Sequence, residues 1–182
     1  MTRIKFFACF CIIHLNYVNS FSAKLSLPCS SKTIWTTTSR KIRHRDSSIV
    51  KLGSVMQGVP QQNENNNSII MSLFISNKHY LFTGDIESSR EASFINKFNL
   101  NIDYLKVPHH GSITSSTEQF LSSVKPESAF IIVSSNNLHG HPHSEVIKRY
   151  QDLSIPVYRT DMSGTIEVYY IFGKEYKRIH SP

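Results

Sequence analysis

From Ser68 onward, short apolar runs alternate with stripes of helical period, and this alternation limits the possible folds more than any other feature. Ser68-Ile-Ile-Met-Ser-Leu-Phe-Ile75 reads as a buried strand, with His79-Tyr-Leu-Phe-Thr83 as its hairpin partner across an Asn77-Lys78 turn. Ala92, Ile95 and Phe98 recur at three-residue spacing, one face of a short helix over residues 87–98. Residues 102–107 form another strand, stopped by Pro108, which cannot donate to a ladder. Ser115-Ser-Thr-Glu118 has capping-box spacing and opens a helix that turns Phe120, Leu121 and Val124 inward. Ser128-Ala-Phe-Ile-Ile-Val133 is apolar without alternation, which predicts a strand covered on both faces. Val146, Ile147, Tyr150 and Leu153 mark a third helix, and residues 156–159 and 165–171 end the series as strands around a turn at 161–164. Such a series defines a layered α/β domain.

Charge and cysteine usage divide the 182 residues into a basic arm, 1–62, and a patterned domain, 63–182. The net charge of +7 resides in the arm, where nine Lys and Arg face one acid, Asp46; beyond it eleven bases face twelve acids. Cys9, Cys11 and Cys29 all lie in the arm, so a metal site in the second part must be built from His and carboxylates. Arg3 and Lys5 precede the apolar run Phe6–Val18, too short for a spanning helix, and residues 1–23 loosely fit a secretory signal. Between Ser30 and Gln62 no strand alternation or helical stripe stands out. A solvated tail, a phosphate- or lipid-touching basic tract around 36–45, and sequence from a shifted reading frame are the open readings of this arm.

Five of the nine histidines fall between His109 and His143, all in loops that follow strands. In α/β sheets the loops at the carboxyl ends of strands hold ligands and metals. Thr83-Gly84-Asp85 brings a carboxylate to one strand end, Pro108-His109-His110-Gly-Ser112 two imidazoles to the next, and His139-Gly-His141-Pro-His143 three more. Imidazole nitrogen with carboxylate oxygen is the donor set of a borderline divalent ion. The competing readings are a plain Gly-Asp turn, a surface His pair and an adventitious metal-grabbing tract; joint occurrence at successive strand ends favours a site.

Asn65–Ile69, Leu81-Phe-Thr-Gly-Asp85-Ile-Glu, Asp103-Tyr-Leu-Lys-Val-Pro-His-His-Gly-Ser112 with Thr114-Ser-Ser116, Gly140-His-Pro-His143 and Val157-Tyr-Arg-Thr-Asp161 together resemble one family. It is the carboxyl-terminal half of the metallo-β-lactamase-like domain of ComEC-type DNA-internalisation competence proteins, matched over about residues 63–171. The resemblance implies half of an αβ/βα sandwich, truncated here, with a divalent-metal cleft (Zn or Mn) between halves. It implies a domain hung from a polytopic membrane protein that brings single-stranded DNA into bacteria, and a nuclease-like, metal-dependent phosphodiesterase that needs no nucleotide cofactor. Its partners would be single-stranded DNA and the rest of the competence membrane channel. By resemblance Asp85, His109, His110 and His141 are metal ligands, Asp85 and the two adjacent histidines also serve catalysis, and Ser112 and Thr114 contact phosphate.

The family's amino-terminal half supplies His-x-His-x-Asp-His, a string found nowhere in this chain, nor are its transmembrane segments. A cleft built from two half-sandwiches is not closed by one, and a site short of ligands binds metal weakly. Three functions stay open: a hydrolase fragment of DNA uptake, another hydrolase of the same fold, and a non-catalytic DNA- or partner-binding module.

Overall fold

In a computed structural model the described residues are 63–171 and 174–180, together with the backbones of five strands within residues 2–56. The chain order is β1 (Thr2–Phe6), β2 (Phe10–Asn16), β3 (Ser22–Pro28), β4 (Lys41–Arg43), β5 (Ile49–Met56), β6 (Ile70–Ile75), β7 (Lys78–Phe82), α1 (Ser88–Ile95), β8 (Tyr104–Lys106), α2 (Glu118–Val124), β9 (Ser128–Ile131), α3 (Ser144–Asp152), β10 (Val157–Arg159), α4 (Thr160–Ser163), β11 (Thr165–Ile171) and β12 (Lys174–His180). One sheet runs β10-β9-β8-β7-β6-β5-β4 and the other β12-β11-β1-β2-β3. Strands β7 to β10 are mutually parallel, while β6 pairs antiparallel with both β7 and β5. The five strands β6–β10 are thus a mostly parallel unit joined by α1, α2 and α3, a mixed α/β fold as the alternation implied.

Side-chain alternation assigns the layers. Leu81, Leu105, Ala129 and Ile131 face a cluster with Phe94 of α1, Phe120 and Leu121 of α2, and Val146 and Tyr150 of α3. Tyr80, Phe82, Tyr104, Phe130 and Ile132 face the other way, onto Ile166, Val168 and Tyr170 of β11. Residues 128–133 are therefore covered on both faces, which is why the run is apolar throughout. Phe120, Phe130, Tyr80 and Tyr150 are among the largest fully buried side chains, each contributing about 2–3 kcal/mol of burial.

Several local readings are corrected. The first hairpin turns on Ser76-Asn77, not Asn77-Lys78, because both residues take the positive φ (46° and 69°) that a two-residue turn requires. The cap of α2 is Thr117, which accepts from Phe120 N at 3.2 Å, and Glu118 is exposed rather than folded back. The carboxylate that does reach this terminus is Glu91 of α1, which accepts from Ser116 N at 2.5 Å, Thr117 N at 2.9 Å and Thr117 Oγ1 at 2.8 Å. Leu153 lies past the end of α3 and is exposed. The turn expected at 161–164 is largely the short helix α4, the strands β10 and β11 on either side of it belong to different sheets, and the residues after 171 add the strand β12.

Five strands also fall in the basic arm, two of them, β4 and β5, between Ser30 and Gln62, where local pattern showed none. Strand β5 pairs with β6 through a register shift between Leu52 and Val55, and β1 pairs with β11. Such pairing depends on a partner's backbone more than on local alternation, so these strands are weakly written in sequence. The apolar run Phe6–Val18 contributes the strand Phe10–Asn16. Apart from Lys41–Arg43, the basic tract at 36–45 lies outside the described residues, as do Cys9 and Cys29.

Glu91 is fully buried and its pKa is raised by burial against the opposing pull of its three donors. Glu91→Ala leaves the Ser116 and Thr117 donors buried without an acceptor and is expected to cost about 3 kcal/mol. Denaturant unfolding of the full chain measures that loss, with Glu91→Gln expected between the two.

Candidate functional site

Three loops meet at the carboxyl ends of β7, β8 and β9, and backbone hydrogen bonds tie them together. His109 N donates to Gly84 O at 3.2 Å, and His143 N donates to Gly111 O at 3.0 Å. Close approach explains both glycines. A Cβ on Gly84 (φ +60°) would stand 2.7 Å from Ser68 Cβ, and one on Gly111 (φ +83°) 2.6 Å from Pro142 Cβ. His109 and His110 also have positive φ, 45° and 55°, so three consecutive residues occupy the left-handed region. Two of them are not glycine, a strained arrangement that persists only where its surroundings enforce it.

That turn aims the two imidazoles at different carboxylates. His110 Nδ1 donates to Ile132 O, since a carbonyl can only accept, and this sets the tautomer. Its Nε2 lies 3.4 Å from Asp85 Oδ1. Its pKa is lowered, first by burial and then by the Lys106 charge, against the opposing pull of Asp85. His109 Nδ1 lies 3.4 Å from Glu87 Oε1 and has no hydrogen bond among the described residues. Glu87 is held by the asparagine loop: Asn63 Nδ2 donates to its Oε2 at 2.6 Å, Asn65 Nδ2 to its Oε1 at 3.1 Å, and its own N–H donates to Asn66 Oδ1 at 2.8 Å.

Behind the Asp85–His110 pair lies a residue that the sequence reading passed over. Lys106, only 5% exposed, donates to Gly84 O at 2.7 Å and lies 3.4 Å from Asp85 Oδ1. A single lysine within the buried strand Tyr104–Lys106 was the available signal, because buried ammonium groups occur with partners. Glu87 was likewise legible only as part of the Asp85-Ile-Glu87 string.

The third loop brings the remaining histidines. The His141 ring is 5.5 Å from that of His109, 5.1 Å from His143 and 5.7 Å from His139. Asn137 fixes the loop reciprocally: its Oδ1 accepts from His141 N at 2.7 Å and its Nδ2 donates to His141 O at 2.9 Å. Ser112 Oγ and Thr114 Oγ1 are 3.1 Å apart, with Thr114 exposed at the rim. The expected ligands thus separate into Asp85 with His110, and His109 with His141. Among the described residues no three His, Cys, Asp or Glu side chains are grouped to hold a metal ion, and no helix is long and apolar enough to cross a membrane.

The chain is 39% identical over 108 residues to ComE operon protein 3 of Bacillus subtilis, a match covering 59% of this chain and 14% of that protein. It is 34% identical over 106 residues to competence protein ComA of Neisseria gonorrhoeae, covering 57% and 15%, and 34% identical over 105 residues to Recombination protein 2 of Haemophilus influenzae, covering 58% and 13%. The chain therefore spans a small fraction of the length of each of these relatives. No protein-family profile matches it.

Burial, then the neighbouring imidazoles of His109, His143, His110 and His139, lower the His141 pKa from 6.5 to about 4. A folded value below the unfolded one means that the unfolded chain takes up the proton first as pH falls. The stability tied to neutral His141 is complete above about pH 6.5 and lost toward pH 4. Denaturation midpoints measured in chelator from pH 7.5 to 4 are expected to fall over that window, and less so in His141→Gln.

Proposed function

We propose that residues 63–171 form the strand-end half of a metal-dependent phosphodiester hydrolase site of the metallo-β-lactamase-like type, belonging to a DNA-uptake protein. The observation that carries this reading is the Asp85–His110 pair. A carboxylate oxygen and an imidazole nitrogen face one another at 3.4 Å, the ring's other nitrogen being taken up by Ile132 O. Two donors so placed match the edge of a tetrahedral site with bonds of about 2.0–2.1 Å. The Ile132 carbonyl that holds the other ring nitrogen is the outer-shell partner that metal-binding histidines ordinarily have. Similarity to a competence protein supports DNA uptake as the setting.

A bound divalent ion would neutralise charge on a phosphoryl group and acidify a water. The chain's own residues supply the rest. Lys106 fixes the Asp85 carboxylate from behind. The His109 ring, whose Nδ1 lies 3.4 Å from Glu87 Oε1, is in the same turn and serves as proton donor to the departing oxygen. Ser112 and Thr114 offer hydroxyls to phosphate oxygens, and His141 closes the site from the third loop. The donor set is half of one, since the His-x-His-x-Asp-His string is lacking.

Two expectations follow from a half-set. Zinc or manganese titrated into the full chain binds weakly, and Asp85→Ala or His110→Ala reduces that affinity at least ten-fold. Single-stranded DNA is cut only when a polypeptide carrying the missing string is added with the metal, and Asp85→Ala abolishes the cutting. Metal binding and cleavage unchanged in Asp85→Ala would refute the assignment. A second reading, a non-catalytic binding module, draws on the want of a third grouped donor among the described residues. DNA affinity that is independent of both metal and Asp85, with no cleavage under complementation, identifies it.

A further inference from the structure

At the opposite end of β7 from Asp85, a hydroxyl and an imidazole meet that the proposed chemistry leaves unused. Met71, Leu73 and Ile75 of β6 face β11, so Ile70, Ser72 and Phe74 lie on the helix-covered face, which His79 shares with Leu81. Ser72 is 5% exposed, and its Oγ is hydrogen-bonded to His79 Nε2. His79 Nδ1 lies 3.0 Å from Asn101 O, and since a carbonyl can only accept, that nitrogen carries the ring's proton. In the neutral ring Nε2 is then the acceptor, and the Ser72 hydroxyl donates to it.

The imidazole is fixed through its own backbone. His79 N donates to Asp103 Oδ2 at 2.7 Å, Asp103 N donates back to His79 O at 2.9 Å, and Lys78 Nζ holds the other oxygen of that carboxylate at 2.6 Å. The Phe74 ring meets the imidazole edge-on, with centroids 6.1 Å apart. Nucleophile, base and orienting group thus stand in the order that serine hydrolysis uses, with a backbone carbonyl where triads carry a carboxylate. On the other side of β6 the register with β5 shifts: Leu52 pairs with Leu73 and Val55 with Met71, so Gly53 and Ser54 stand opposite Ser72 alone. Two residues against one leave one of them out of the ladder. The serine therefore lies between a base on one neighbouring strand and an interrupted backbone on the other.

We propose that Ser72 is the nucleophile of a second, metal-independent site that hydrolyses small uncharged carboxylic esters, with His79 as general base. Ser72 Oγ bonds to the ester carbonyl carbon as its proton passes to His79 Nε2. The bond to the alcohol oxygen breaks, and that oxygen leaves with the proton. Water then attacks the acyl carbon and gives a proton to the same nitrogen; the bond to Oγ breaks, Oγ takes that proton, and the acid departs. The N–H left out of the ladder at Gly53-Ser54 serves as donor to the carbonyl oxygen as it gains charge. The flanking Ile70 and Phe74 and the slight exposure of Ser72 restrict the acyl group to a short apolar one. The site does not depend on the metal-site reading.

Fluorophosphonate–biotin incubated with the full chain in chelator, followed by peptide mapping, tests it, and the label is expected on Ser72 of the unaltered chain. Multiple-turnover hydrolysis of p-nitrophenyl acetate is expected as well, falling to the protein-free rate in Ser72→Ala. His79→Gln, which can still hydrogen-bond but cannot take up a proton, should slow labelling about a hundred-fold. Asp85→Ala leaves both readouts unchanged, so failure here is distinct from failure of the metal-site proposal. Absence of label from Ser72, labelling of His79→Gln at the parent rate, or hydrolysis that survives in Ser72→Ala overturns it.

Discussion

The site depends on two backbone hydrogen bonds between loops far apart in the chain, His109 N to Gly84 O and His143 N to Gly111 O. Parallel strands bring their carboxyl ends to one edge of a sheet, but they do not dictate how the connecting loops meet. These two bonds do, and each uses a glycine carbonyl at a place where a Cβ would collide with Ser68 or Pro142. The left-handed turn at His109 and His110 is enforced between them. One imidazole is sent toward Asp85 and the other toward Glu87, although adjacent residues in a regular strand would face opposite sides of the sheet.

The electrostatics follow from that packing. Gly84 O and Asp85 Oδ1 share the Lys106 ammonium, whose charge, with burial, disfavours a proton on His110. His141 is kept neutral by burial and by the other imidazoles around it. The strand-end loops therefore present nitrogen lone pairs near neutral pH, next to a carboxylate with a cation behind it. Burial lowers the cost of recruiting these groups to a cation, since their protons are already gone.

Much of the core was legible because burial writes a period into the sequence. The doubly covered run at 128–133, the stripe of Phe120, Leu121 and Val124, and the placement of all five clustered histidines after strands were each readable locally. What escaped was set by partners distant in sequence. Glu91 caps a helix 26 residues away, Lys106 is explained only by Gly84 and Asp85, and β5 is a strand because β6 offers it a backbone edge. The polar stretch at 63–67 has no period that points to a partner, yet Asn63, Asn65 and Asn66 grip Glu87. The two pairings of Asp85 with His110 and His109 with His141 could not be foreseen, because positive φ at consecutive non-glycine residues has no pattern of its own.

Glu91 of α1 and Arg149 of α3 grip the same short stretch of chain from opposite sides. The carboxylate takes the N–H groups of Ser116 and Thr117, while Arg149 Nη1 donates to the carbonyls of Ser115 and Ser116 at 2.8 and 3.2 Å. The wall bearing Ser112 and Thr114 is thereby bolted to two helices and behaves as a fixed jamb, not a moving lid. On the facing loop, pinned in turn by Asn137, Leu138 stands 99% exposed. Sequence drift in the helical layer, though remote from any ligand, would be transmitted through those two side chains to the shape of the opening.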